Sequence, residues 1–163
     1  MANEQYDLQV LLDLREGARK AAEEALAAEM AVLEQRRRAA VAAREALAQA
    51  ERGRVAEVAA FDARRMAQGV EIAVWRAFDD YVRGLKAREA ELAEAIRAAE
   101  RAVVAQQAQV KRANEALLAA TQEVEAVEQH RAQWQAEQRL EQARKDDDAM
   151  DDVAVRLWRS QQR

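Results

Sequence analysis

Between Trp75 and Trp134 apolar residues return alternately three and four positions apart, a spacing that keeps one narrow helical stripe facing a neighbouring helix. One series of the repeat reads Trp75, Val82, Glu89, Ile96, Val103, Val110, Leu117, Val124 and Arg131; the other reads Phe78, Leu85, Leu92, Ala99, Gln106, Ala113, Ala120, Val127 and Trp134. A stripe of period 3.5 sustained over about nine heptads predicts a left-handed coiled coil and no enclosed pocket. Three polar members, Glu89, Gln106 and Arg131, interrupt it. Polar core residues cost stability but can set register.

Composition narrows the rest. Aromatic residues are 4% of the 163, proline is absent, and about a quarter of the chain is alanine, the strongest helix former. A thick core is excluded, and no turn-bounded β-branched run reads as a strand. The net charge of −4 favours neither nucleic acid nor an anionic membrane. The one basic block, Arg36-Arg37-Arg38, reads as a solvated helix face. Without cysteine there is neither a disulfide framework nor thiolate chemistry. No apolar run reaches membrane-spanning length and the amino terminus lacks signal-peptide regions, so the expected location is cytoplasmic.

The first half is also helical, with apolar points at Leu8, Leu11, Leu12, Leu26, Met30, Leu33, Val41, Leu47, Val58 and Phe61. A heptad begun on Leu26, Met30 and Leu33 would enclose Arg37 and Arg44, and Val41 follows Met30 by eleven, so the expectation is an irregular, partly hendecad strip. Asn3 is placed to cap this helix. Gly69 is the best break, because glycine takes the left-handed conformation that ends helices, and Glu71 suits the next amino terminus. The expected fold is all-α: a single antiparallel two-helix coiled-coil hairpin with an overhanging C-terminal helix. Helix 1 is expected at about 4–67, the turn at about 68–71, helix 2 at about 72–144 and a separate tail at 145–163. With that pivot Leu26 faces Arg112, and Tyr6 and Trp134 close the open end. The seam is then carried by Trp75, Phe78, Val82, Leu92, Ile96, Val103, Val110, Leu117, Val124, Val127 and Trp134.

The residues offer little for catalysis. His130 is the only histidine and has no serine or cysteine to serve; Asp79 and Asp80 diverge by about 100° on a helix. The aspartates from Asp146 to Asp152 lack the glycine turn and closing glutamate of a calcium loop. The reading is a protein without enzymatic activity, cofactor or metal. Exposed apolar groups say more: Tyr81 points partly away from the seam, and Val153, Leu157 and Trp158 follow the acidic block as a helix-in-groove ligand would.

Together these segments resemble the FliJ/YscO family of type III secretion systems. The opening Tyr6-x-Leu8-x-x-Leu11-Leu12-x-Leu14-Arg15, the central Trp75-x-x-Phe78-x-x-Tyr81-x-x-x-Leu85 and the closing His130-x-x-x-Trp134 with Asp147-Asp148-Ala149-Met150 are similar to it, the last favouring the YscO branch of injectisomes. The resemblance implies a central stalk that links a hexameric secretion ATPase to the cytoplasmic domain of the export gate, at the inner membrane, and that binds escort chaperones. It implies gate contact at Tyr81 and Leu85, and the hairpin offset places the ring-directed end in the tail with Val153, Leu157 and Trp158. Two other readings fit the same residues: a homodimeric coiled-coil scaffold, and a chaperone that holds substrates between its arms.

Overall fold

In a computed structural model, residues 8–161 form two helices, α1 (Gln9–Gln68) and α2 (Ile72–Gln161), with no strand among the described residues. The fold is all-α, with the two long helices packed against each other as a hairpin. The residues expected to cap helix 1 and to close the open end, Asn3 and Tyr6, lie outside the described residues.

Gly69 makes the bend. Its φ is +69°, and its N–H donates to the Arg65 carbonyl at 3.0 Å, the single bond of a left-handed helix ending. Three residues then separate the helices, and the Glu71 carbonyl accepts the first α2 bond from the Trp75 N–H at 3.0 Å. Glu71 therefore sits half in the helix, with its negative side chain beside the positive end of the α2 dipole.

The chain divides into two compact units, Glu24–Asn114 and Met1–Glu23 with Glu115–Arg163. In the first, every member of the two α2 series from Phe78 to Ala113 is buried or half-buried. Phe61 stacks on Phe78 with ring centroids 3.8 Å apart, and Phe61, Leu33 and Ala40 are buried. In the second unit Leu12 and Val124 are buried, and Leu117, Ala120, Val127, Arg131 and Trp134 are half-buried. Arg15 there bridges to Glu123 at 2.5 Å, the partner that a reversal at Gly69 assigns it.

The α1 seam differs from the expected irregular strip. Its main series is Leu12, Arg19, Leu26, Leu33, Ala40, Leu47, Arg54 and Phe61, all buried or half-buried and seven residues apart throughout, with Arg15, Ala22, Glu29, Ala43 and Ala50 in the second series and Leu11, Val32, Ala48 and Val58 half-buried beside them. Met30 and Val41, which suggested the hendecad step, are 55% and 51% exposed. Side-chain size misleads here: alanine and the aliphatic stems of arginine fill seam positions while larger apolar groups face outward.

A second correction concerns the end of α2. No separate tail begins at Lys145; the helix is uninterrupted from Ile72 to Gln161. The segment holds neither glycine nor proline, and side-chain pairs cross the expected boundary: Glu141 with Lys145 at 2.8 Å, and Gln142 donating to Asp146 at 2.8 Å. Such i, i+4 pairs support a helix by a few tenths of a kcal/mol each. From Arg139 to Arg159 every residue is exposed.

Candidate partner surfaces

Near the bend, packing separates residues that the sequence groups together. Phe78 stacks on Phe61, and the Arg64 guanidinium lies over the Phe61 ring 5.7 Å from its centre. Trp75, expected within the seam, is instead 47% exposed. Phe61 is already engaged by Phe78, and the turn of α1 that follows it presents Arg64 and Arg65. Trp75 lines a shallow cleft with Val58, Phe61, Asp62, Phe78, Asp79 and Val82.

Tyr81 is 46% exposed, and its ring lies tilted 6.1 Å from Phe78. Its hydroxyl donates to the Glu57 carboxylate; that bond, some desolvation and the Glu57 charge hold the phenol above its ordinary pKa. Leu85, one turn on, is half-buried in the seam. The pair assigned to gate contact thus combines an exposed, hydrogen-bonded ring with a largely packed side chain. Glu57 on α1 belongs with them, and the sequence alone does not reveal it, because an exposed glutamate on one helix carries no sign of its partner on the other.

The polar seam members behave as register elements. Glu89 accepts from Arg54 Nε at 2.7 Å, with the two side chains 13% and 23% exposed. Gln106 is buried, and its amide donates to the Glu29 carbonyl at 3.1 Å and also to the Glu29 carboxylate. A slip by one residue would break both arrangements and leave polar groups in the seam. Arg131 lacks such an arrangement: its Nε is buried without a hydrogen-bond partner. Arg54 and Glu29 were missed as partners because they become visible only once the α1 heptad is phased from Leu12.

At the end of α2, Val153, Leu157 and Trp158 are 51%, 58% and 60% exposed. Consecutive residues on a helix diverge by about 100°, so Leu157 and Trp158 do not share a face as expected. Met150, 73% exposed, completes an i, i+3, i+7 row with Val153 and Leu157, and Trp158 flanks it. Among the described residues no group of three or more acidic, histidine or cysteine side chains could hold a metal ion, and no helix is long and apolar enough to cross a membrane.

The family model described as YscO-like protein matches residues 3–163. A solved structure of a proposed YscO homolog, CT670 from Chlamydia trachomatis, superposes with a TM-score of 0.78 over 94% of each chain at 17% identity, a likeness of fold alone. No curated protein matches the chain.

Proposed function

The chain belongs to the YscO-like family of type III secretion, and on that premise we propose that it is a non-enzymatic coupling stalk between a hexameric secretion ATPase and the export gate. The observation that carries the proposal is the family match along residues 3–163. The geometry supports it in kind. A part that transmits strain between two assemblies needs a shaft whose helices cannot slip and partner surfaces outside the seam. Arg54 with Glu89 and Glu29 with Gln106 resist slippage. Tyr81 with Leu85 near the bend is the proposed gate surface, and the exposed row Met150, Val153 and Leu157, with Trp158, is the proposed ATPase surface. The protein would work in the cytoplasm, against the membrane-embedded apparatus, and bind escort chaperones there.

The test is binding of the purified full chain to the cognate ATPase and to the cytoplasmic gate domain. Removing residues 145–163 is expected to abolish ATPase binding while circular dichroism stays helical. Replacing Tyr81 with alanine is expected to weaken the gate complex about tenfold, as loss of an interface aromatic does. Wild-type protein that bound neither partner, or variants that bound both as wild type does, would overturn the proposal.

A further inference from the structure

Beside the seam of the 24–114 unit, Val41 on α1 and Val104 on α2 are 51% and 65% exposed and line a shallow groove. Arginines rim it: Arg37 and Arg44 on the α1 side, Arg97 and Arg101 beyond Val104 on α2. Arg44 is bridged to Glu100 at 2.5 Å and Arg97 to Glu94, which leaves Arg37 and Arg101 as the positive surplus of the rim. An apolar floor with a basic edge suits an acidic amphipathic helix.

The same chain carries one. On α2 the row Met150, Val153 and Leu157 lies within about 60° of helix surface, at 100° per residue. Asp147 and Asp151 flank it on one side and Asp152 on the other. From Met150 to Leu157 the helix rises seven steps, about 10 Å of axis, and from Arg37 to Arg44 it rises the same length. Arg156 and Arg159 close the segment, so only its first half matches the arginine rim, which gives the docking a direction. Val104 and Met150 belong to one uninterrupted helix and cannot meet within one molecule.

We infer that the groove at Val41 and Val104 receives the acidic, apolar helix 146–158 of a second copy of this chain. The self-contact covers the row that the ATPase ring would otherwise engage, so copies and ring compete for it. The inference itself stands on the groove and the segment and does not require the ATPase assignment.

Sedimentation of the full chain over a wide concentration range tests it. The wild type is expected to associate, and less so at high salt, because the rim contacts are charged. Arg37→Glu with Arg101→Glu is expected to raise the dissociation constant tenfold or more, as is Asp147→Arg with Asp151→Arg. Mixing the two charge-reversed variants is expected to restore association, since one supplies an acidic groove and the other a basic segment. All four positions are exposed, and circular dichroism checks that the helices persist. A wild type that is monomeric throughout would sink the inference, as would association unaffected by the groove variants or unrestored in the mixture. ATPase binding by the groove variants is measured alongside: because the groove lies apart from the proposed ATPase surface, a lost self-contact with retained ATPase binding reads on this inference alone.

Discussion

The two units solve the same problem differently. In Glu24–Asn114 the polar side chains placed in the seam meet complementary ones: Arg54 with Glu89, and Glu29 with Gln106. In the unit that joins Met1–Glu23 to Glu115–Arg163, Arg19 and Arg131 each keep a buried Nε without a hydrogen bond; Glu23 comes within 3.7 Å of Arg19, close enough for charge but too far for that bond. A buried donor without a partner costs about 1–3 kcal/mol, whereas a paired one is near neutral and specifies alignment. One unit therefore pairs all the polar side chains of its seam, whereas the other pairs Arg15 with Glu123 and bears the cost of two unsatisfied donors.

The largest expected effect sharpens this comparison at its apolar end. Replacing Phe61 with alanine removes the ring stacked on Phe78 and is expected to destabilise the protein by about 3 kcal/mol, read from chemical denaturation. Next comes the charged pair. Glu89→Ala leaves Arg54 partly buried and unpaired and is expected to cost about 2 kcal/mol, while Arg54→Leu with Glu89→Leu is expected to recover most of that loss. Recovery would mean the pair acts on alignment more than on stability; no recovery would mean that it contributes net attraction. Smaller, and opposite in sign, is Arg131→Leu, expected to raise stability by about 1 kcal/mol by removing the unsatisfied donor. A loss of stability there would break the contrast between the units. The smallest contrast is between glycines: Gly84→Ala adds a methyl group that meets nothing within 4 Å and is expected to stabilise α2 by somewhat under 1 kcal/mol, whereas Gly69→Ala strains a positive φ and is expected to destabilise by about as much. Thermal melting of the two variants reads both signs.

Legibility in the sequence followed side-chain volume. The α2 seam could be read directly because large apolar residues, valine, leucine, isoleucine, phenylalanine and tryptophan, hold most of its positions, and Glu89 and Gln106 stood out against them as polar exceptions. The α1 seam could not, because Ala22, Ala40, Ala43 and Ala50 look like filler and Arg19 and Arg54 look like surface, while Met30 and Val41 advertise a core they do not join. Phase, in such a strip, is set by the partner helix as much as by the residues themselves. The bend was legible because only glycine relieves a φ of +69°. The acidic block was misread as a break because like charges suggest solvation, yet nothing in it stops a helix that Glu141 and Lys145 brace. At the candidate site, Tyr81 was visible as an exposed aromatic, but its Glu57 acceptor depends on how the two helices pack across the bend.

Gly69 also sets the order in which the two arms find each other. Arg54 and Glu89 are 35 residues apart in sequence and Arg15 and Glu123 are 108 apart, so closing the longer loop from an open chain costs about 1 kcal/mol more in entropy. Once the contacts nearest the glycine exist, each further turn closes only a short additional loop. Pairing therefore spreads outward from the bend like a zipper, and the amides first to exchange with solvent should be those most remote from it.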